Sequence, residues 1–248
     1  MKSLWYKYNP MDLVRLQKVI ADRGLCSRRQ AEYLIKEGKI KVNGLLVIEL
    51  GTKVNSQNDR IEFLGREVKA SPSLVYTLFY KPKNVMSTLS DPQGRPCIQD
   101  YLQKSSTRVF PIGRLDFQSE GLMILTNDGA LAQRINHPSG RVRKVYHVEV
   151  QEAVTPEVLS HLKEGAIVEG EKVKPVSVRS LKSQWLEFVL GEGRKREIRV
   201  ICGAAGLTVQ KLIRVAIGAI QVGHLKPGQL KKISFSLVQK AFHSNVLT

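Results

Sequence analysis

The sequence is poor in the residues that build disulfides, metal centres and membrane spans. Its 248 residues include three dispersed cysteines, with no Cys-x-x-Cys pair and no histidine cluster at metal-ligand spacing. Few, scattered thiols are typical of a reduced cytoplasmic protein rather than a disulfide scaffold. No apolar run approaches the roughly 20 residues of a membrane helix, and the first ten residues lack the apolar segment of a signal peptide. We therefore expect a cytoplasmic protein without a structural metal.

Motifs of the common cofactor-dependent and nucleophilic enzymes are also missing. The chain contains no Gly-x-Ser-x-Gly elbow, phosphate loop or dinucleotide fingerprint, and the Gly-Glu-Gly at 191–193 is too short to replace one. His147 alternates with apolar neighbours and His137 precedes a proline, so ordinary surface or loop positions explain both. We expect no metal or nucleotide cofactor, which leaves the carboxylates as candidates for chemistry.

Negative charge is scarce relative to positive charge. The chain carries 39 Lys and Arg against 22 Asp and Glu, a formal net charge of +17, while 42% of its residues are hydrophobic. The apolar content supports a real core, and the basic excess points first to nucleic acid as a partner. A basic protein that binds no nucleic acid is the alternative at this point.

The beginning of the chain predicts a small helical module. Apolar spacing between residues 16 and 35 indicates two short helices. The first ends at Gly24, and the second starts after Ser27, a capping residue, and ends at Gly38. A strand follows, with Asn43-Gly44 as a tight turn. Two starts of the chain are open, Met1 and Met11, because ordered-looking sequence begins at residue 13.

The module resembles a known RNA-binding domain. The stretch RLQKVIADRGLCSRRQAEYLIKEGKIKVNG is similar to the domain named after ribosomal small-subunit protein four. The resemblance implies binding to structured RNA through Arg28, Arg29 and Lys39, whereas a solvated basic face is the alternative. We place this domain at residues 13–68, a linker at 69–74 and a larger domain at 75–240.

The larger domain reads as strands with a few helices between them. Strands are predicted at 75–80, 145–150, 185–190 and 209–217, and a helix is predicted at 195–205. Regular strand–helix alternation is missing, which favours an α+β fold over a doubly wound one. We therefore expect a small helix–helix–hairpin domain and a larger domain built on a largely antiparallel mixed sheet with flanking helices.

Three carboxylates lie close together in GRLDFQSEGLMILTNDG, residues 113–129. Asp128 precedes ALAQRI and fits a helix cap or turn, and Glu120 fits a brace at a strand start. Asp116 has Arg114 two residues before it, on the same side if the backbone is extended. Because a guanidinium keeps a neighbouring carboxylate ionised, Asp116 is the candidate for chemistry. A structural ion pair would give the same pattern.

Cations surround this candidate acid in the sequence. Between residues 191 and 232, nine Lys or Arg face only two acids. Such a segment suits an enzyme that acts on polyanionic RNA. The side chains of the larger domain that we expect to contact RNA are Lys81, Arg194, Lys195, Arg196 and Arg214.

Five ordered motifs give a second resemblance. They are KPKNVMSTLSDPQGRP, PIGRLDFQSEGLMILTNDG, KVYHVEV, GEGRKREIRVICGAAG and KLIRVAIGAIQVGHLKPG. In this order they are similar to the motifs of pseudouridine synthases of the RsuA-like family, RluB type. Ser119 stands where Thr is expected and Glu197 where Gln is common. Neither carries the chemistry, so these departures concern substrate detail.

The resemblance implies isomerisation of a uridine in ribosomal RNA, with large-subunit RNA favoured by the Gly-Arg-Lys-Arg-Glu-Ile-Arg form. It assigns Asp116 as nucleophile or base, Arg199 as its basic partner and Tyr146 as the aromatic active-site residue, with Arg114 as support. From its position among valines alone, Tyr146 reads equally as core. A monomer is expected. The rivals are a non-catalytic RNA-binding protein and a glycosidase that uses Asp116 with Glu120.

Overall fold

The computed structural model describes residues 13–69, 73–102 and 107–243. The chain divides into two compact units, the first made of Met1–Leu74 and Ser105–Arg108 and the second of Val75–Lys104 and Val109–Thr248. The alternative start at Met11 and residues 70–72 of the proposed linker lie outside the described residues.

The first unit combines short helices with short antiparallel strands. Its elements are β1 (Leu13–Arg15), α1 (Leu16–Asp22), α2 (Arg28–Lys36), β2 (Ile40–Val42), β3 (Leu45–Val47), β4 (Lys53–Asn55), β5 (Ile61–Phe63) and β6 (Arg66–Glu67). Strands β3, β2, β5 and β6 form one sheet in that order, and β1 pairs with β4. Leu16 and Ile20 of α1 pack against Ala31 and Ile35 of α2 in one core, so the expected helix–helix–hairpin arrangement is confirmed.

Local chemistry fixes the ends of these elements. Ser27 Oγ accepts a hydrogen bond from the Gln30 amide at 3.2 Å and caps α2. Asn43 and Gly44 have φ angles of 51° and 80°, the backbone of a tight hairpin turn between β2 and β3. The capping residue and the turn are therefore those that the sequence predicts.

The second unit is larger and built on a sheet. Its strands are β7 (Tyr76–Lys81), β8 (Phe110–Ile112), β9 (Glu120–Thr126), β10 (Lys144–Val150), β11 (Ala166–Val168), β12 (Glu171–Val173), β13 (Ser177–Lys182), β14 (Trp185–Leu190), β15 (Val209–Ile217), β16 (Ile220–Gln221) and β17 (Leu230–Lys232). Its helices are α3 (Gly129–Asn136), α4 (Pro156–Glu164), α5 (Glu197–Ala204) and α6 (Phe235–His243), with 3-10 turns at Ile98–Tyr101 and Pro138–Gly140.

The main sheet is mixed but largely antiparallel. Its path runs β13-β14-β10-β15-β9-β7-β17, with β8 on β9 and β16 on β15. Within the described residues, the pairing of β15 with β9 is parallel and the other pairings in this sheet are antiparallel. The α+β class expected from the sequence is confirmed.

Strand β9 separates two cores. All seven of its residues are buried, and alternate side chains enter different clusters. Met123 and Leu125 pack with Phe79, whereas Leu122 and Ile124 pack in the second cluster. A strand covered on both faces reads as a continuous apolar run, which explains the sequence LMIL at 122–125. The loop that carries Asp116 leads directly into this rigid strand.

Candidate active site

An open cleft of about 660 Å³ lies in the second unit. Residues from 86–88, 113–119 and 193–198 line it, together with Arg95 and Tyr146. Its volume falls within the usual range of small-molecule sites. Loops that connect to the ends of buried strands therefore supply most of the wall of the cleft.

Asp116 lies on the loop between β8 and β9, half-buried in this wall. A turn follows it, closed by the Ser119 amide, which donates to the Asp116 carbonyl oxygen at 3.0 Å. The Asn84 amide donates to the carbonyl oxygen of Phe117 at 2.7 Å. Although it belongs to no strand, the backbone of this segment is held by hydrogen bonds at Asp116 and at the residue that follows it.

Arg199 lies on α5 and is the cation that the family resemblance pairs with Asp116. Its Nη1 donates to the Val209 carbonyl oxygen at 3.3 Å, and its buried Nε has no hydrogen-bond partner within the described residues. Burial and the charge of Arg196 lower the pKa of Arg199, and the Asp116 carboxylate opposes this shift. The charge of Asp116 thus acts on Arg199, although no ion pair within 4 Å joins the two side chains in the described part of the chain.

Lys81 does not fit the expected contact with RNA. Its side chain is fully buried at the end of β7, and Nζ donates to the carbonyl oxygens of Pro82 at 2.8 Å and Val85 at 2.7 Å. Burial lowers the pKa of Lys81 to about 8, the charges of Asp116 and Glu120 oppose this shift, and Arg214 adds to it. A cation so enclosed shapes the loop after β7 and cannot meet a phosphate from solvent.

Arg214 is likewise buried rather than presented to RNA. Only 2% of its surface is exposed, and Nε donates to the Leu122 carbonyl oxygen at 2.7 Å. Strand pairing places Arg214 beside Gly121 on one side and Tyr146 on the other. Arg214 therefore joins β15 to β9 behind the site, which corrects the role expected from the sequence.

Tyr146 lies both in the core and at the wall of the cleft, the two positions that the sequence left open. It lies on β10 opposite Phe188 of β14, is 7% exposed, and packs in the core with Leu115 and Ile198. It also lines the cleft that contains Asp116. The core holds the ring in place at the cleft wall.

The loop before α5 presents cations of two kinds. Arg194 is paired with Glu171 and Glu192, whereas Lys195 and Arg196 are exposed in the cleft wall. Arg196 has a left-handed backbone with φ of 55°, so α5 begins at Glu197 rather than at the expected residue 195. Lys195 and Arg196 are therefore the charges of this loop that are open to a polyanion.

Glu197 holds the same loop through a hydrogen bond with its backbone. It is 4% exposed, and its Oε2 accepts a hydrogen bond from the Arg194 amide at 2.9 Å. Burial raises the pKa of Glu197, while the hydrogen bond from Arg194 opposes this shift. The departure from Gln at this position keeps an acceptor oxygen in place.

Arg114 shares the cleft wall with Asp116 but does not neutralise it. Arg114 is exposed, and the described residues contain no ion pair within 4 Å between the two side chains. Their sequence spacing predicts a close pair only on an extended strand, whereas this segment is a loop outside β8 and β9. Arg114 is thus an open cation beside the candidate acid.

The other two acids of the motif have structural positions. Asp128 caps α3 by accepting hydrogen bonds from the amides of Ala130 and Leu131, and it also accepts one from the Tyr76 hydroxyl at 2.8 Å. Glu120 is 9% exposed at the start of β9, 3.5 Å from Lys211 Nζ. The predicted cap is confirmed.

The sequence missed three cleft residues. Arg95 is exposed and held by Asp91, whose Oδ1 accepts from Nη2 at 2.8 Å and whose Oδ2 accepts from Nε at 3.0 Å. Phe117 follows Asp116 and is 36% exposed. Ser87 contacts the backbone before Asp116. The polar, turn-rich loop at 87–96 was a signal for Arg95 and Ser87, since such loops carry function.

The expected RNA contacts of the first unit lie on its surface. Arg28 and Arg29 are exposed at the start of α2, where cations and helix amides can both meet phosphate. Lys39 is partly exposed, 3.9 Å from Glu37 Oε2 and 6.0 Å from the ring centre of Tyr33.

Side chains that could bind a metal are not clustered in the part of the chain that the structure describes. Over this part of the chain, no group of three or more His, Cys, Asp or Glu is arranged to hold an ion. Nor is any described helix long and apolar enough to cross a membrane.

The fold and the cleft agree with one enzyme family. The family model described as RNA pseudouridylate synthase matches residues 75–204, which include Asp116, Tyr146 and Arg199. The S4 domain model matches residues 14–61. The chain belongs to the RNA pseudouridylate synthase family and carries an S4 domain before the catalytic part. Both resemblances read from the sequence are confirmed, and the protein is an isomerase of this family.

Two relatives and one solved structure show how similar the chain is to known proteins. An uncharacterized RNA pseudouridine synthase of Aquifex aeolicus is 41% identical over 226 residues, which cover 89% of this chain and 90% of the relative. The ribosomal large subunit pseudouridine synthase B of Bacillus subtilis is 38% identical, with 89% and 92% covered. A crystal structure of a pseudouridylate synthase has a TM-score of 0.67 at 26% identity and covers 92% of this chain and 99% of that one.

Proposed function

We propose that the protein converts a uridine of large-subunit ribosomal RNA to pseudouridine, with Asp116 as the catalytic carboxylate. One observation carries the assignment of Asp116: it lies on a hydrogen-bonded loop in the cleft that Tyr146 also lines. The similarity to the Bacillus subtilis large-subunit enzyme supports the choice of substrate. Work on ribosomal RNA would place the protein in the cytoplasm.

The other acids near the cleft suit this chemistry less well. Glu197 lines the cleft, but its carboxylate accepts the Arg194 amide and its raised pKa disfavours the ionised form. Glu120 lies near Lys211 and outside the cleft lining. A glycosidase needs two carboxylates on either side of one sugar bond, and the positions of Asp116 and Glu120 do not favour that rival.

The proposed reaction exchanges one bond of the sugar's anomeric carbon for another. The bond to N1 of uracil breaks, the base turns, and C5 bonds to the same carbon. C5 then loses its proton and N1 gains one, so the composition of the RNA is unchanged. Asp116 would attack the sugar carbon as a nucleophile or remove a sugar proton as a base. Both routes need an ionised carboxylate in a fixed position.

The neighbouring side chains have distinct proposed roles. Tyr146 offers a ring, held by the core, against which an extruded uracil can stack, and its hydroxyl can transfer a proton late in the reaction. Arg199 would be the basic partner of the Asp116 carboxylate. Arg114, exposed in the wall, would hold the flipped nucleotide.

Binding to RNA is divided between two domains in this proposal, residues 13–68 and 75–240. Lys195 and Arg196 would contact phosphates around the cleft. Arg28, Arg29 and Lys39 would do so on the first domain. Extruding a base costs a few kcal/mol, and many phosphate contacts offset that cost.

Pseudouridine mapping of total ribosomal RNA tests the proposed substrate. Cells that lack the gene should lose pseudouridine at a large-subunit position, and the wild-type gene should restore it. Loss confined to small-subunit RNA would overturn the choice of subunit. An unchanged map would favour the rival without catalysis, an RNA-binding protein on the same scaffold.

A further inference from the structure

The loop after β7 holds the backbone on both sides of Asp116. Ser87 Oγ donates to the carbonyl oxygen of Leu115 at 2.6 Å and accepts from the amide of the same residue at 2.9 Å. After Asp116, the Asn84 amide donates to Phe117. One short loop thus supplies hydrogen bonds to the residue before and the residue after the candidate acid.

That loop has anchors of its own. Buried Lys81 donates to the carbonyl oxygens of Pro82 and Val85. The amide of Met86 donates to the Pro96 carbonyl oxygen at 2.7 Å, and the Ile98 amide donates to the Met86 carbonyl oxygen at 3.2 Å. The hydroxyl of Ser87 therefore extends from a loop whose backbone is held by hydrogen bonds from Lys81 and with residues 96 and 98.

The sheet does not set the direction of Asp116. Residues 113–119 lie between β8 and β9 and belong to neither strand. A hydroxyl that bonds both the N–H and the C=O of Leu115 acts as a partner strand would at that residue. Precise placement matters, because a shift of about 1 Å at a reacting group can lower a rate on the order of 100-fold.

We propose that Ser87 is a positioning residue, whose two hydrogen bonds to Leu115 set the direction of the Asp116 carboxylate in the cleft. This inference rests on the proposed function, in which Asp116 is catalytic. Ser87 acts through the backbone and contacts no reacting atom. Because Ser87 also lines the cleft, direct contact with RNA is the competing role.

Two matched substitutions separate these roles in the full-length protein. Ser87→Ala removes both hydrogen bonds to Leu115. Thr126→Val removes an equivalent pair at the far end of β9, where Oγ1 donates to the Val75 carbonyl oxygen at 2.6 Å and accepts from the Asp128 amide at 3.0 Å. The single-turnover rate at saturation, RNA affinity and thermal stability are measured for each, with an unmodified large-subunit rRNA transcript as the probe.

The two variants should lose similar stability but differ in rate. We expect Ser87→Ala to turn over about 10–100-fold more slowly at saturation with unchanged affinity. Ser87→Thr, which keeps a hydroxyl, should recover most of the rate, and Thr126→Val should match the wild type. If Ser87→Ala does not fold, Ser87→Cys takes its place, because a thiol is a weak hydrogen-bonding partner.

Other results would overturn the inference. Equal rates for Ser87→Ala and Thr126→Val would reduce Ser87 to a general stabilising residue. Weaker affinity at an unchanged saturating rate would make it an RNA contact. Asp116→Asn is measured alongside: full turnover by that variant defeats the proposed function itself. An inactive Asp116→Asn with a fast Ser87→Ala defeats only the positioning role.

Discussion

At the scale of single residues, three charged side chains in or behind the wall of the cleft are buried and hydrogen-bonded. Lys81 bonds two carbonyl oxygens, Arg214 bonds the backbone of β9, and Glu197 accepts an amide. Burying a charge is costly unless it is hydrogen-bonded or paired. Such residues build the site from inside, and the exposed Lys195 and Arg196 remain available to a ligand.

Glu197→Gln should show how much the buried charge costs. Because burial raises the pKa of Glu197 above 4.5, the folded protein holds this proton more tightly than the unfolded chain does. Its contribution to stability is therefore present at low pH and is lost as pH rises through the raised pKa. Glutamine keeps an acceptor for the Arg194 amide and cannot ionise. We expect the difference in free energy of unfolding, variant minus wild type, to increase as the pH is raised from 4.5 to 8.

Urea denaturation of both proteins across this range measures the difference in free energy of unfolding. Glu164→Gln, which makes the same change at an exposed position at the end of α4, is the matched control. A flat or falling difference for Glu197→Gln would contradict the account of this residue.

The sequence does not predict the surroundings of a residue when those surroundings depend on how distant strands pair. The cap at Asp128 depends on the next three residues, and the sequence predicts it. Lys81 and Arg214 look like any other cations of a basic chain. Only the pairing of β7, β9, β15 and β10 places Lys81, Gly121, Arg214 and Tyr146 in one row across the sheet, and no local pattern encodes that row.

At the scale of elements, the parallel pairing of β9 with β15 brings the loop of Asp116 near Arg214. Gly121 makes this close approach, with φ of 113°. A Cβ at this position would lie 2.4 Å from the carbonyl oxygen of Arg214 and 2.6 Å from its nitrogen. These are backbone atoms, so neither can move aside without shifting β15.

Gly121→Ala should therefore separate the two strands. Strain at φ above zero and the backbone clash together should lower the free energy of unfolding by about 2–4 kcal/mol. Gly203→Ala in α5 is the control, because its Cβ would meet nothing within 4 Å and alanine favours a helix by roughly 1 kcal/mol. Urea denaturation of both variants checks this, and equal stability for the two would contradict the proposed contact.

Most regular elements follow from local pattern. Alternation predicts β10, strand-like composition predicts β15, and a strand is also predicted at β14. The sequence places a strand start at Glu120, where β9 begins. Helix α5 was expected two residues too early, because the left-handed backbone of Arg196 delays its start. The short strands β11 and β12 left no clear pattern in the sequence, since each has three residues.

At the scale of the whole molecule, the net charge of +17 and the division into two units are both suited to an enzyme that acts on RNA. The S4 domain supplies exposed cations at a helix start, and the catalytic unit places exposed cations around an acid. Family and fold class could be read from ordered motifs. The interior positions of Lys81 and Arg214 could not, because burial is a property of the assembled sheet.

Turnover of an unmodified large-subunit rRNA transcript by purified Asp116→Asn tests the central claim most directly. The variant should form no detectable pseudouridine, because its amide can act neither as nucleophile nor as base, yet it should bind the transcript with wild-type affinity. Turnover at the wild-type rate, with contaminating enzyme excluded, would contradict the account and move the chemistry to another residue.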